Sequence, residues 1–128
     1  MTLAASPQTV SRRILLVEDN PDSRETLRTI LRLWGHQVEV AEDGRSGVQK
    51  GLAWQPDIGI LDIGLPILDG YQVAEQLRAI LKDRIFLIAL TGYSQPQDRQ
   101  RAFTAGFDVH LTKPADLDEL ARLVAQPV

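Results

Sequence analysis

Short apolar runs alternate with amphipathic stretches along most of the chain. The run Ile-Leu-Leu-Val at residues 14–17 lacks the polar alternation of a half-exposed strand, and this pattern is typical of a strand buried on both faces. Comparable patterns predict four further strands, at residues 37–41, 57–62, 85–90 and 109–111.

The segments between and after these strands have the spacing and boundary residues of helices. Asn20 followed by Pro21 predicts a helix start, since Asn caps well and Pro tolerates the first helical position, and Gly35 predicts its end. Further helices are predicted at residues 44–53, after the Gly/Pro-rich loop of residues 64–70, and at residues 97–105 and 116–124. The predicted inward residues are Leu27, Ile30, Leu31, Trp34, Val73, Leu77, Ile80, Leu81, Leu117, Leu120 and Val124.

Five strands alternating with five helices, joined by short loops, predict an α/β fold with a parallel sheet covered by helices on both faces. The 128 residues fit one domain. We expect a loose polar leader at residues 1–12 and the domain at residues 13–126.

Composition narrows the classes of function. The chain has no cysteine and only two histidines, which argues against a disulfide scaffold, a thiol nucleophile and a zinc site. Lys and Arg are not clustered as in a nucleic-acid-binding surface, and the net charge is −3. No apolar run approaches the ~20 residues that span a membrane, and the first residues do not have a signal-peptide pattern. We therefore expect a soluble, cytoplasmic protein with neither nucleic acid nor membrane as a partner.

Polar residues with related chemistry follow the predicted strands. Glu18 and Asp19 follow the first strand, Asp62 ends the third, Thr91 follows the fourth, and Lys113 comes soon after the fifth. Ligands of open α/β sheets bind at the carboxyl ends of the strands. Three carboxylates there repel each other unless a cation lies between them, and oxygen ligands suit Mg²⁺. With a lysine for phosphate, this set predicts phosphoryl transfer in which Asp62 is the nucleophile.

The assembled pattern resembles the receiver domains of bacterial response regulators and hybrid sensor kinases. The resemblance runs from about Ile14 to Val124. It depends on four motifs in this order: Ile-Leu-Leu-Val-Glu-Asp-Asn at 14–20, Leu-Asp-Ile-Gly-Leu-Pro-Ile-Leu-Asp-Gly at 61–70, Ala-Leu-Thr-Gly at 89–92 and His-Leu-Thr-Lys-Pro at 110–114.

The resemblance implies a flavodoxin-like, doubly wound fold with strand order 2-1-3-4-5. It implies a phosphorylation switch rather than a turnover enzyme, with a histidine kinase or a histidine phosphotransfer protein as the phosphate donor. It also implies that a downstream protein contacts the face formed by the fourth helix, fifth strand and fifth helix. The donor, the stimulus, the target and the oligomeric state stay open, as does whether the receiver stands alone or comes from a larger chain.

The family's roles carry over to matching positions. Glu18 and Asp19 become the acidic pair that holds Mg²⁺, together with Asp62 and the backbone carbonyl of Gly64. Thr91 becomes the switch hydroxyl and Lys113 the phosphate-binding lysine. The Lys113–Pro114 peptide bond is expected to be cis.

Two positions bear on how the switch works. His110 stands where receivers often have a switch aromatic residue, and whether it replaces that aromatic residue stays open. A histidine ring that rotates there would add pH sensitivity near neutrality. Tyr93, two residues after Thr91, flanks the route by which water reaches the phosphate in this family, as does Gly64. We expect Tyr93 to lengthen the life of the phosphate.

Single residues also have simpler interpretations. Asp19 and Asn20 suit a helix cap, Asp62 a loop acid, and Lys113 a solvated lysine. These simpler interpretations explain the pattern only if all of them hold by coincidence at one end of one sheet. We expect His36 to be a surface or turn residue, Trp34 a core residue, Trp54 to pack at a helix end, Phe103 and Phe107 to anchor the last helices, and Arg99 and Arg101 to be solvated. A degenerate receiver that only binds proteins is the main alternative; a flavin protein or an aspartyl-nucleophile phosphatase fits the motifs poorly.

Overall fold

A computed structural model describes residues 10–92 and 95–125 of the chain. Its strands are β1 (Arg13–Val17), β2 (Gln37–Ala41), β3 (Ile58–Asp62), β4 (Phe86–Thr91) and β5 (Val109–Thr112). Its helices are α1 (Pro21–Leu33), α2 (Gly44–Trp54), α3 (Gly70–Leu81), α4 (Pro96–Ala105) and α5 (Leu117–Ala125), with a 3₁₀ turn at Lys82–Arg84. The alternation predicted from the sequence is confirmed.

All strand pairs are parallel, and the sheet order is β2-β1-β3-β4-β5. Alternate residues of β1 enter two different cores. Leu15 and Val17 pack in a core with α2, α3 and α4, whereas Ile14 and Leu16 pack on the opposite face with α1 and α5. This is why the strand is an unbroken apolar run, and it confirms the doubly wound fold.

The first connection shows how the helices are placed at the edge of the sheet. The Asn20 side chain accepts a hydrogen bond from the Ser23 amide at 2.9 Å, Pro21 occupies the first helical position, and Gly35 has a positive φ of 97° after the helix. The predicted start and end of α1 are thus confirmed, and α1 begins at the edge where β1 ends.

Three predicted anchor residues are instead exposed. The prediction for Ile80 is wrong: the small residue Ala74 belongs to the buried face of α3, and Ile80 lies on the solvent side of that face. Leu117 is the first residue of α5 and lies half out of the core. Phe103 points to solvent because α4 buries only Ala102 and Ala105, whereas Phe107 is buried as predicted.

The prediction that His36 is a surface residue is also wrong. Only 5% of the residue is exposed, and its Nδ1 accepts a hydrogen bond from the Arg12 amide at 3.0 Å. The Arg12 carbonyl in turn accepts from the Gln37 amide at 2.9 Å. Of the predicted leader, residues 1–9 lie outside the described part of the chain, and Arg12 is tied by these bonds to the start of β2.

Among the described helices, none is both long enough and apolar enough to cross a bilayer.

Candidate functional site

The polar residues singled out in the sequence meet at the carboxyl edge of the sheet. Glu18 directly follows β1, Asp62 is the last residue of β3, and Thr91 is the last residue of β4. Since these strands are parallel neighbours, their ends lie side by side. Lys113 follows β5, and its amide donates to the Thr91 carbonyl at 2.7 Å, which ties the lysine's backbone to the end of β4.

Three carboxylates form a cluster there. Glu18, Asp19 and Asp62 each offer an oxygen atom within 4.8 Å of the others; Glu18 and Asp62 are buried, and Asp19 is exposed. Ligands of an octahedral Mg²⁺ lie ~2.1 Å from the ion, so that opposite ligands are separated by about 4.2 Å. The oxygen atoms of the cluster are at most about 0.6 Å further apart than that span, and these hard oxygen donors fit Mg²⁺.

Lys113 bridges the two buried carboxylates. Its ammonium lies 2.9 Å from Glu18 Oε1 and 3.0 Å from Asp62 Oδ2. Burial alone would lower the pKa of Lys113, but its hydrogen bonds to Glu18 and Asp62 raise the pKa above its ordinary value of 10.5. The lysine is therefore a permanent positive charge beside Asp62.

The negative charge of the carboxylate cluster exceeds the positive charge of Lys113, which favours binding of a further cation. Burial raises the pKa of Glu18, and the nearby Asp62 raises it further, although Lys113 acts in the opposite direction. One ammonium thus compensates the three acids only in part. A divalent cation among the acids would relieve the remaining repulsion.

The loop after β3 shapes the surroundings of Asp62. Asp62 Oδ1 accepts a hydrogen bond from the Gly64 amide at 3.1 Å, and the loop returns to the strand end at Gly70. A Cβ atom at Gly70 would lie 2.5 Å from the Asp62 carbonyl oxygen, so only glycine permits this close approach. Asp69 caps α3 in a reciprocal pair with Gln72.

Comparison with known proteins decides the family. The family model of the response regulator receiver domain matches residues 14–125, which is most of the chain. The chain belongs to the receiver-domain family. Receiver domains are signalling modules of two-component systems, and the flavodoxin-like fold implied by the resemblance is confirmed.

Two relatives and one solved structure illustrate the likeness. The chain is 39% identical over 108 residues to the response regulator MprA of Mycolicibacterium vanbaalenii, with coverage of 84% of this chain and 46% of MprA. It is 37% identical over 115 residues to the DNA-binding dual master transcriptional regulator RpaA of Synechocystis, with coverage of 88% of this chain and 48% of RpaA. The receiver domain of the sensor histidine kinase PA1611 of Pseudomonas aeruginosa has a TM-score of 0.81 and 34% identity, with coverage of 90% and 95%, and that structure has magnesium coordinated in its active-site cleft.

The chain spans about half the length of MprA and RpaA. RpaA is named as a DNA-binding protein, so these relatives give no support to the expectation that nucleic acid is not a partner.

The receiver's two predicted switch residues differ in how they are placed. Thr91 is buried at the end of β4. His110, on β5, is partly buried, and both of its ring nitrogens are buried without a hydrogen-bond partner in the described part of the chain. Burial lowers the pKa of His110, and the charge of Arg99 lowers it further. The imidazole is therefore neutral at pH 7. Tyr93 lies outside the described residues.

The Lys113–Pro114 peptide bond is cis, as predicted.

Two arginine contacts were not predicted from the sequence. The guanidinium of Arg24 donates to the carbonyl of Glu18 at 3.1 Å. The guanidinium of Arg101, expected to be solvated, is exposed but lies 4.1 Å from the ring centroid of Tyr71. Neither contact has a signal in the sequence, because both arginines lie among other charged residues on helices.

Proposed function

We propose that this receiver accepts a phosphoryl group on Asp62, in a Mg²⁺-dependent transfer from the phosphohistidine of a histidine kinase or a histidine phosphotransfer protein. The observation that carries the proposal is the Lys113 ammonium at 3.0 Å from Asp62, with Glu18 and Asp19 in the same cluster. These are the parts that phosphoryl transfer to a carboxylate needs: a nucleophile, a fixed cation and ligands for a second cation.

Each side chain has a separate role in the proposed transfer. An oxygen of Asp62 forms a bond to phosphorus while the bond between phosphorus and the donor's imidazole nitrogen breaks, and the electron pair of that bond stays on the nitrogen. Lys113 binds an oxygen of the transferred group as a point charge. Glu18, Asp19, Asp62 and the Gly64 carbonyl would hold Mg²⁺, which when bound neutralises charge on the phosphoryl oxygens. The 34% identical receiver of PA1611, which has magnesium coordinated in its active-site cleft, supports the proposal that this cleft binds Mg²⁺.

The proposed switch starts at Thr91. Its position at the end of β4, beside the end of β3, lets its hydroxyl bind a phosphoryl oxygen on Asp62. His110 lies on β5, two residues before the register partner of Thr91. Because its ring nitrogens have no hydrogen-bond partner among the described residues, rotation of the ring when Thr91 moves breaks no hydrogen bond that these residues make. The response would be read by a downstream protein on the face of α4, β5 and α5, where Phe103 is exposed.

Intact mass spectrometry tests the proposal. The protein is incubated with acetyl phosphate, with and without Mg²⁺, beside an Asp62→Asn variant and an Asp69→Asn variant. Asp69 is the matched control because it lies in the same loop, and asparagine retains its role as a helix cap. We expect one added phosphoryl group in the parent and in Asp69→Asn when Mg²⁺ is present, and none in Asp62→Asn.

Failure of the parent to gain mass with Mg²⁺ would contradict the proposal and favour a degenerate receiver that binds partners without phosphorylation. Equal labelling of Asp62→Asn would show that another residue is the acceptor.

A further inference from the structure

The side chain of Arg24 attaches the turn that presents the acidic pair to α1. β1 ends at Val17, so Glu18 and Asp19 are in the segment where the chain leaves the sheet. Arg24, the fourth residue of α1, is half-buried. Its NH1 group donates to the Glu18 carbonyl at 3.1 Å and lies 3.5 Å from the Asp19 carbonyl. One guanidinium therefore contacts the backbone of both members of the pair.

These contacts fix the peptide planes that orient the Glu18 and Asp19 side chains. The side chain of Glu18 is held independently, since its Oε2 accepts from the Asn20 amide at 3.2 Å and its Oε1 pairs with Lys113. Asp19 is exposed, and none of the described residues donates a hydrogen bond to its carboxylate. The direction of Asp19 therefore depends on its backbone, which Arg24 holds.

We propose that Arg24 is a positioning residue for the metal site: through the carbonyls of Glu18 and Asp19, it keeps the Asp19 carboxylate in the geometry that Mg²⁺ requires. This inference rests on the proposed function, because it assumes that Glu18, Asp19 and Asp62 bind Mg²⁺. Mg²⁺ demands near-ideal octahedral geometry, so a small rotation of one ligand weakens binding. Groups that orient metal ligands from behind typically contribute about 10- to 100-fold in affinity.

The direction in which the Mg²⁺ affinity changes when Arg24 is replaced distinguishes a positioning role from the effect of its charge. Arg24 is a cation near a cation site, so its electrostatic effect alone opposes Mg²⁺ binding. Removing the charge without any change in geometry would strengthen binding. Only a positional role makes the loss of this arginine weaken it.

The test is a calorimetric titration of the unphosphorylated full chain with Mg²⁺ for the parent, Arg24→Met, Arg24→Lys and Arg28→Met. Arg28 is the matched control: it lies one turn further along α1 and pairs with Glu25 at 3.3 Å. We expect Arg24→Met to bind Mg²⁺ about 10-fold more weakly. Arg24→Lys keeps the charge but not the planar fork, so its affinity should fall between those of the parent and Arg24→Met. Arg28→Met should bind as tightly as the parent or slightly more tightly.

An Arg24→Met affinity equal to or tighter than that of the parent would overturn the inference and leave the proposed function intact. A parent that does not bind Mg²⁺ would overturn both. Circular dichroism checks that the variants are folded. If Arg24→Met does not fold, Arg24→Lys decides, since weaker binding supports the positioning role and parental affinity refutes it.

Discussion

Ile67, in the loop between Asp62 and α3, has a backbone conformation that branched residues rarely adopt. Its φ is 74°, and the Leu68 amide donates to the Pro66 carbonyl at 2.9 Å across it, which closes a three-residue γ-turn. A γ-turn with positive φ is rare and strained, and a residue held in such a sparsely populated conformation costs roughly 1–3 kcal/mol. The Ile67 side chain is 71% exposed, so burial recovers little of that cost.

An Ile67→Asn substitution should therefore raise the free energy of unfolding by about 1 kcal/mol, because a positive φ is less costly for asparagine than for a β-branched residue. Urea denaturation measures the change. The matched control is Ile80→Asn, since Ile80 is also exposed but lies in the last turn of a helix, where asparagine brings no gain. A loss of stability in Ile67→Asn would show that this conformation carries no strain.

Among the helices, α4 is attached to the rest of the molecule by few side chains. It buries only Ala102 and Ala105, and its N-cap residue Gln95 makes no side-chain capping bond. Arg101 adds a contact with α3, where its guanidinium lies 4.1 Å from the Tyr71 ring centroid. Tyr71 follows Gly70 at the end of the Asp62 loop, so this contact joins α4 to the loop beside the proposed acceptor.

An Arg101→Gln substitution should loosen α4 and leave the other helices unchanged. An exposed cation–π contact contributes ~0.5–1 kcal/mol, so we expect amide hydrogen exchange in α4 to be about 2- to 5-fold faster. Arg99→Gln removes the same charge from the same helix without loss of a ring contact and should leave α4 exchange unaltered. Equal acceleration in both variants would attribute the effect to charge rather than to Tyr71.

At the scale of elements, the sequence predicts what depends on local pattern. The strand of Ile14 to Val17 is buried on both faces and therefore has an unambiguous pattern. Helix faces are less certain, because small residues such as Ala74, Ala102 and Ala105 take core positions without a strong apolar signal. Larger neighbours such as Ile80 and Phe103 are then assigned to the core although they face solvent.

At the scale of the whole molecule, His36 connects the edge of the sheet to the chain before β1. Burial lowers its pKa from the ordinary 6.5, and the charge of Arg12 lowers it further. A protonated ring has no acceptor at Nδ1 for the Arg12 amide. Below the ordinary pKa, the unfolded chain therefore binds more protons at this histidine than the folded chain does, and folding loses stability as the pH falls.

The stability advantage of the parent over His36→Asn should thus be largest above pH 6.5 and should shrink as the pH falls towards 5. Urea denaturation at pH 7.5, 6.5 and 5.5 measures the difference in the free energy of unfolding. His110 also has a lowered pKa, but it is present in both proteins and cancels in the difference. A difference that is constant with pH would exclude this linkage.

The residues of the candidate site could be predicted from the sequence, whereas the contacts that support them could not. Glu18, Asp19, Asp62 and Lys113 each lie at a strand end, and the order of parallel strands brings strand ends together. The contact of His36 with Arg12 and that of Arg24 with the Glu18 carbonyl join backbone atoms to side chains. Such contacts depend on loop conformation, which residue pattern alone does not specify.

Locating the phosphate on the chain tests most directly whether Asp62 is the acceptor. The protein is incubated with acetyl phosphate and Mg²⁺ and then treated with borohydride, which reduces an aspartyl phosphate to homoserine; peptide mass mapping finds the altered residue. We expect homoserine at position 62, and only when Mg²⁺ is present. Homoserine at another aspartate, or at none while the intact protein carries a phosphoryl group, would contradict this expectation.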